Sequence, residues 1–235
     1  MSTRALQASS PRPRPIPPLQ NGDRLDAGEY LRRYRAMPDE VKAELIEGVV
    51  YVASPVSVFH GNPHNDVAGW LYIYRAATPG TDSAVDSTVR LDANNVPQPD
   101  AALYVLPAFG GRMVISDDGY VEGPTELAIE ISTSSVSYDL GPKLAAYARN
   151  GIREYIVWRT EDEAIDWFVL RNDGYEPLAP GPDGVTRSEV FPGLWLDAAA
   201  MAARDATRVN AALQQGLQSS EHARFVAELQ ARLTS

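Results

Sequence analysis

An apolar stretch containing a single acid, followed by a helix and a second apolar stretch, constrains the fold of this chain most. Residues 127–131, Leu-Ala-Ile-Glu-Ile, predict a strand, and residues 154–158 predict a second strand of the fully buried kind. Residues 138–150 between them predict a helix, which Gly151 ends. A strand, a helix and a strand in this order favour a crossover unit with two neighbouring parallel strands. We therefore expect an α/β protein built on a central sheet.

Further strands and helices are predicted on both sides of this unit. Residues 44–52 predict a strand pair or a bent strand, with Gly48 at the turn or bulge, and further strands are predicted at residues 84–91, 100–106 and 164–170. Helices are predicted from the N-cap Asp26 to Tyr34 and at residues 64–77, 205–217 and 220–234. The predicted organisation is a Pro- and Arg-rich disordered tail over residues 1–22, one domain over residues 23–200 and a helical extension over residues 201–235.

The composition and the absent motifs exclude several classes of protein. The 235 residues include no cysteine, which excludes disulfides, thiol catalysis and thiolate zinc sites. No apolar run is long enough to span a membrane, and the first residues lack the apolar segment of a secretory signal, so we expect a cytoplasmic protein with no membrane partner. No Gly-x-Ser-x-Gly, phosphate-loop or Gly-x-Gly-x-x-Gly motif indicates a serine triad or a nucleotide-dependent mechanism.

The charged residues give two further indications. The formal net charge is −10, and the acidic excess lies after residue 40, which opposes binding to a phosphate backbone. Of the 21 basic residues, only Lys42 and Lys143 are lysines. In a chain that uses arginine so heavily, a lysine either arises by chance or supplies a compact charge with an adjustable pKa.

Glu130 and Asp100 are the first candidate site residues. Glu130 lies inside the predicted strand and shares a face with Ala128; a carboxylate on a buried face is costly unless it is paired or binds a metal. The alternative is an edge strand whose second face is wet. Asp100 follows Pro99 at the entry to a strand, where it is either a turn residue or, with Glu130, a ligand for a shared Mg²⁺.

Lys143 is the third candidate. It borders the inward stripe of the predicted helix, which contains Leu140, Leu144 and Tyr147. Its ammonium could reach back to the carboxylates and hold the attacking water or a phosphate. The alternative is a surface lysine whose alkyl chain lies along apolar surface.

Motifs between about residue 27 and residue 200 form an ordered set. They are residues 44–48 (Glu-Leu-Ile-Glu-Gly), Ser54-Pro55 with His60, Pro99-Asp100, residues 130–132 (Glu-Ile-Ser), 138–143 (Tyr-Asp-Leu-Gly-Pro-Lys), 147–151 (Tyr-Ala-Arg-Asn-Gly), 154–158 and 191–194 (Phe-Pro-Gly-Leu). The set resembles the PD-(D/E)XK nuclease superfamily and, more closely, the bacterial Uma-type family of restriction endonucleases. No single motif is diagnostic, whereas the ordered set is quite specific.

The resemblance implies a restriction-endonuclease-like fold, with a central mixed β-sheet flanked by helices. It implies that Asp100 and Glu130 bind a catalytic Mg²⁺ or Mn²⁺, that Glu44 is an additional site member, and that DNA is the partner. It also matches Lys143 to the lysine that lies on the following helix in this family. One departure stands out, because the third position of the E-x-K motif is Ser132 rather than lysine.

His60 and His64 have the i, i+4 spacing of zinc ligands on a helix. Gly61 and Pro63 intervene, however, and the sequence is not His-Glu-x-x-His. Pro63 suits a first helical turn, so we expect His60 to precede the helix and to have a structural or site-rim role. The residues expected at the rim of the site are His60, Gln98 and Ser132.

Three functions compete at this point. The first is a metal-dependent endonuclease that hydrolyses phosphodiester bonds in DNA. The second is a binding or regulatory protein with the nuclease fold and weak or no catalysis, which Ser132 and the acidic balance favour. The third is a structural oligomer that acts through its C-terminal helices. An apolar stripe on the last predicted helix (Phe225, Val226, Leu229 and Leu233) leads us to expect a homodimer, the alternative being that both helices dock on their own domain.

Overall fold

The computed structural model describes residues 15–53, 58–172 and 174–233, with side chains in the second range described from Gly61 onwards. The expectations for residues 1–14 of the tail, for Ser54-Pro55 and for the side chain of His60 lie outside these residues.

The described part of the chain consists mainly of short strands, with helices before, between and after them. The strands are β1 (Ala43–Ile46), β2 (Val49–Val52), β3 (Thr81–Val85), β4 (Val89–Arg90), β5 (Ala101–Val105), β6 (Val114–Ile115), β7 (Val121–Glu122), β8 (Leu127–Ser132), β9 (Glu154–Arg159), β10 (Ala164–Arg171), β11 (Gly174–Pro177), β12 (Val185–Arg187) and β13 (Trp195–Asp197). The helices are α1 (Ala27–Tyr34), α2 (Val58–Ala77), α3 (Val136–Tyr138), α4 (Leu144–Arg149), α5 (Ala198–Ala202), α6 (Ala206–Leu217) and α7 (Ser220–Leu233). None of the helices in the described part of the chain has the length and apolar character needed to cross a membrane.

A six-stranded mixed sheet, with strand order β11-β10-β9-β8-β5-β3, forms the centre of the fold. β8 and β9 pair in parallel and place Glu130 opposite Val157, whereas the other neighbours in this sheet are antiparallel. The predicted α/β class, the mixed sheet and the parallel pair around the crossover are therefore confirmed. β8 lies inside the sheet, so the edge-strand alternative for Glu130 is wrong.

The two faces of β8 contact different layers of helices. Ile129, on one face, belongs to the largest apolar core, together with residues of α2, α5, α6 and α7. Ala128, on the other face, packs in a smaller core with Tyr147 of α4. Because side chains alternate along a strand, Glu130 shares the face of Ala128 and is directed towards α4.

The strand predicted over residues 84–91 is wrong as a single element. β3 ends at Val85, and β4 belongs to a separate three-stranded sheet with β6 and β7. The chain turns between them at Asp86, which has a left-handed φ of 50°. Since a residue in that conformation cannot continue an extended strand, the alternating pattern is divided in two.

Helix α2 begins earlier than predicted. The prediction placed its start at residue 64 and His60 before it, whereas the helix starts at Val58 and contains both His60 and Pro63. Pro63 does not mark the start of the helix; it lies in the second turn, where it removes one N–H donor from the ladder of backbone hydrogen bonds.

The helix predicted over residues 138–150 is interrupted by a wide turn. α3 ends at Tyr138, Asp139–Lys143 form a π-type turn in which Gly141 has a non-helical φ of −115°, and α4 follows. The cause is Pro142, which lacks an N–H and disfavours helical geometry at the residue before it. Both ends of the turn, Asp139 and Lys143, are buried.

Helices α6 and α7 pack on the same chain. Leu213 and Leu229 are completely buried within the largest core, and the imidazole of His222 lies 2.9 Å from the hydroxyl of Thr78. Much of the apolar stripe that led us to expect a dimer is thus covered within one copy of the chain. A homodimer remains a prediction, but it has to rest on another surface.

Candidate active site

Five candidate site residues, from four parts of the chain, line one cavity of about 450 Å³. Those predicted from the sequence are Glu44 on β1, Gln98 and Asp100 before β5, Glu130 on β8 and Lys143 at the end of the wide turn. Lys42, Asp86, Tyr138 and Asp139 also line it and were not predicted as site members. The crossover unit and the β1–β2 hairpin together place these side chains beside the central sheet.

Lys143 holds the centre of a buried ionic cluster. Its Nζ lies 3.0 Å from Oε1 of Glu44, 3.1 Å from Oε1 of Glu130 and 3.6 Å from Oδ1 of Asp139. The hydroxyl of Tyr147 donates a further hydrogen bond of 2.8 Å to Oε1 of Glu130. Only 2% of the lysine side chain is exposed, so the surface-lysine alternative is wrong.

The pKa values of Glu130 and Lys143 follow from burial and from the neighbouring charges. Burial raises the pKa of Glu130 well above its ordinary value; Lys143 opposes the rise, and the carboxylate of Asp100 adds to it. Burial alone would lower the pKa of Lys143, but the attraction of Glu130 and of the other two carboxylates outweighs it, so that this pKa is raised. Lys143 therefore stays an ammonium at neutral pH and holds the acids in place.

Ser132 is completely buried and faces the wide turn. Its hydroxyl donates a hydrogen bond of 2.5 Å to Oδ2 of Asp139, and Ser135 donates another of 2.6 Å to the same oxygen. The residue at the third position of the E-x-K motif thus fixes Asp139, which in turn faces Lys143. Asp139 was missed because its contact with Lys143 spans the wide turn, although the i, i+4 spacing of the two residues was a usable signal.

Asp100 is held from two sides. Its Oδ2 accepts a hydrogen bond of 2.7 Å from the backbone N–H of Ile131, which couples it to the strand that carries Glu130. Its backbone oxygen lies 2.8 Å from Nε2 of His64, on α2. The same His64 nitrogen lies 3.9 Å from Oδ1 of Asp86.

His64, Asp86 and Asp100 form a group that could hold a metal ion. One ligand atom from each lies within 4.8 Å of the other two. This set shares Asp100 with the predicted metal pair but does not include Glu130, whose Oε1 is occupied by Lys143 and Tyr147. Neither His64 nor Asp86 was predicted as a ligand, since nothing local to Asp86 distinguishes it from other acids that end strands.

Gln98 lies where the cavity meets a neighbouring hollow. Its backbone N–H donates to Oε2 of Glu44 over 3.1 Å, while its side-chain amide donates to the hydroxyls of Tyr34 and Thr88. Gln98 thus fixes Glu44 through its backbone, and its side chain lines the hollow next to the site.

Tyr138 carries a buried hydroxyl with no hydrogen-bond partner within the described residues. Its ring packs against that of Tyr51, with centroids 4.1 Å apart, and lines the cavity. An orphaned buried hydroxyl in a cavity is costly unless it meets a water or a ligand there.

The charge of the cavity lining fits a bound cation. Its described carboxylates are Glu44, Asp86, Asp100, Glu130 and Asp139, and its ammonium groups are Lys42 and Lys143. Even with Glu130 protonated, the carboxylates outnumber the cations. Carboxylate oxygens are the donors that Mg²⁺ and Mn²⁺ prefer, so the residues present fit a divalent ion.

The mixed sheet and the cluster of acids around a buried lysine are the features of a restriction-endonuclease-like protein. The sequence profile of the family described as "Uma2: Putative restriction endonuclease" matches residues 27–199. The chain belongs to this family, and the resemblance inferred from the motifs is confirmed. Membership of this family supports nuclease activity for the chain.

A solved structure has the same fold. It is the crystal structure of "a putative nuclease belonging to DUF820" from Anabaena variabilis ATCC 29413, with a TM-score of 0.52 and 12% sequence identity over 73% of this chain and 98% of that chain. At this identity the likeness shows the fold alone. No curated protein matches the sequence.

Proposed function

We propose that this protein is an endonuclease that hydrolyses phosphodiester bonds in DNA with a bound Mg²⁺ or Mn²⁺. The observation that carries the proposal is the cavity in which a buried lysine holds three carboxylates beside Asp100. A divalent ion bound there would polarise the phosphate and lower the pKa of a bound water.

The residues of the chain have separate roles in this proposal. Asp100 holds the ion, and Glu130, on the adjacent strand β8, lines the same cavity. Lys143 and Tyr147 orient Glu130, and Lys143 also orients Glu44. The partly exposed Lys42 and the hydroxyl of Ser134 line the cavity, where they can contact a phosphate.

A specific observation favours the second candidate, a nuclease-fold binding protein with weak catalysis. Lys143 contacts three carboxylates and is almost fully buried, so it cannot contact a phosphate without leaving them. The acidic net charge of −10 also weakens binding to DNA. The two candidates differ in turnover rather than in the location of the site.

Incubation of the purified chain with plasmid DNA, single-stranded DNA and RNA, each with Mg²⁺, Mn²⁺ or a chelator, tests the proposal. The proposal predicts that DNA is cleaved with Mg²⁺ or Mn²⁺ and is not cleaved with the chelator. Binding of DNA without cleavage in either ion would support the second candidate, and cleavage of RNA alone would correct the substrate.

We also propose a homodimer, because cutting both strands of a duplex is simplest with two copies of one site. Light scattering at micromolar concentration tests it, and the mass of a monomer would refute it. A cytoplasmic location is a further part of the proposal, on the ground of the cysteine-free sequence.

A further inference from the structure

We infer that the metal ion is held by His64, Asp86 and Asp100, with one imidazole and two carboxylates, and that Lys42 neutralises this group when no ion is bound. The inference concerns the same site as the proposed nuclease function. It rests on that function only for the role of the ion in hydrolysis, whereas the ligands are argued from the geometry of the site. It differs from the sequence-based pair of ligands by replacing Glu130.

The three ligands come from three different elements. His64 lies on α2, Asp86 directly follows β3, and Asp100 directly precedes β5. Their ligand atoms lie within 4.8 Å of one another, and ligands of one ion are separated by at most roughly 4–5 Å, twice the metal–ligand distance. The left-handed backbone of Asp86 turns the chain out of the sheet at the point where this carboxylate meets His64.

The two oxygens of Asp86 face different partners. Oδ2 forms an ion pair with Nζ of Lys42 at 2.8 Å, whereas Oδ1 lies 3.9 Å from Nε2 of His64. The Lys42 side chain is 41% exposed, so it can move into solvent at little cost. Lys42 therefore supplies a positive charge that a divalent ion would compete with.

Glu130 is a poorer ligand in this arrangement. Its Oε1 already contacts Lys143 and Tyr147, both of which are buried. To bind an ion with that oxygen, Glu130 would have to give up these buried contacts, and Glu130 does not belong to the group whose ligand atoms lie within 4.8 Å of one another. We infer that Glu130 acts as a positioning residue, which fixes Lys143 and, through it, Glu44.

The donor set also predicts which ion is preferred. Mg²⁺ favours oxygen donors alone, whereas an imidazole nitrogen raises the affinity for Mn²⁺ and the later transition metals. One histidine and two aspartates should therefore bind Mn²⁺ more tightly than Mg²⁺. To offer a nitrogen lone pair, His64 has to turn from the backbone oxygen of Asp100 or bind through its other nitrogen.

Calorimetric titration with MnCl₂ measures the Mn²⁺ affinity of wild type and of variants. Replacing a ligand should lower this affinity, whereas replacing Lys42 should raise it. His64→Asn and Asp86→Asn should each weaken Mn²⁺ binding by at least about tenfold. Lys42→Met should tighten it by about three- to tenfold, because it removes a competing charge. The matched control is Arg75→Met, which removes a cation from a similar exposed ion pair, with Asp82 at 2.9 Å, and should leave the Mn²⁺ affinity unchanged.

Pulsed EPR of the Mn²⁺-loaded protein gives a readout independent of activity. Wild type should show modulation from a directly bonded imidazole nitrogen, and His64→Asn should lose it. The inference would be overturned if the nitrogen modulation were lost in His60→Asn and kept in His64→Asn. Equal Mn²⁺ affinity of wild type, His64→Asn and Asp86→Asn would also overturn it. Thermal unfolding identifies any variant that fails to fold, and the two ligand variants test the same site independently.

The failure of this inference can be told apart from that of the proposed function. Metal-dependent cleavage without nitrogen modulation would leave the nuclease in place and remove His64 from the site. Mn²⁺ bound through His64 in a protein that cuts no nucleic acid would support the metal site and refute the nuclease.

Discussion

The ammonium of Lys143 lies 3.1 Å from Oε1 of Glu130, and both side chains are almost completely buried. Glu44 and Asp139 contact the same ammonium. A buried charge without its partner is far more costly than an exposed one. The cluster therefore ties the hairpin, the central strand and the wide turn into one unit, and the integrity of the site depends on this lysine.

Replacing Lys143 by methionine should lower the free energy of unfolding by about 3–5 kcal/mol, because it leaves buried carboxylates unpaired. Urea unfolding measures the loss. Arg149→Met, in the next turn, removes an exposed cation paired with Glu47 and should cost no more than about 1 kcal/mol. Equal stability of Lys143→Met and wild type would show that the cluster is not held by this charge.

Glu130 should make the protein less stable as the pH rises. Burial raises the pKa of Glu130 in the folded chain, so the folded state holds the proton more tightly than the unfolded state does. The free energy of unfolding then falls as the pH rises from the ordinary pKa of a glutamate, about 4.3, towards the raised one.

Glu130→Gln should make this fall shallower, because glutamine does not titrate. Urea unfolding at several pH values between about 5 and 8 compares the two proteins. Glu154, which is also buried with a raised pKa, is present in both and cancels in the difference. Identical pH profiles would remove Glu130 as the titrating group.

The hydroxyls of Tyr138, which lines the cavity, and of Tyr155, which is buried behind Asp139, should respond differently to removal. Tyr138→Phe should keep or raise stability, by up to about 1 kcal/mol, because its buried hydroxyl has no hydrogen-bond partner within the described residues. Tyr155→Phe should lower it by about 1 kcal/mol, because its hydroxyl donates to the backbone oxygen of Asp139 over 3.1 Å. If Tyr138 meets the substrate, its variant should also bind DNA more weakly; a loss of stability like that of Tyr155→Phe would instead indicate an internal partner.

The last helix should be part of the folded core. Leu229 is completely buried and Leu233, one turn later, is 56% exposed. Leu229→Ala should cost about 2–5 kcal/mol and Leu233→Ala less than about 0.5 kcal/mol, measured by thermal or urea unfolding. Similar small effects of both changes would mean that α7 is a dispensable extension.

Most of the fold could be predicted from periodicity and turn residues. The parallel pair around residues 127–158 follows from two apolar runs with a helix between them. Gly48, between two short runs of strand-forming residues, indicated a hairpin or a bent strand, and the structure has the hairpin. The errors have local causes. The turn at Asp86 depends on one left-handed residue, and the wide turn at Pro142 was hidden because the apolar spacing of a helix continues on both sides of it.

The candidate site was less predictable than the fold. Asp100, Glu130 and Lys143 were candidates from their positions in the predicted strands and helix, and the family resemblance added Glu44 and joined the four. His64, Asp86 and Asp139 were not, because their proximity depends on tertiary contacts between elements distant in sequence. Lys42 had a signal, the rarity of lysine in this chain, but nothing in the sequence placed it beside Asp86.

Cleavage of supercoiled plasmid DNA by wild type and Asp100→Asn at saturating Mn²⁺ tests the nuclease claim most directly. Asparagine keeps an acceptor for the N–H of Ile131 but removes the charge, and Asp82→Asn removes an equal charge outside the cavity. A metal-dependent nuclease with Asp100 as a ligand should show metal-dependent cleavage by wild type and Asp82→Asn, and a rate at least about 100-fold lower for Asp100→Asn. Equal rates for Asp100→Asn and wild type would contradict it.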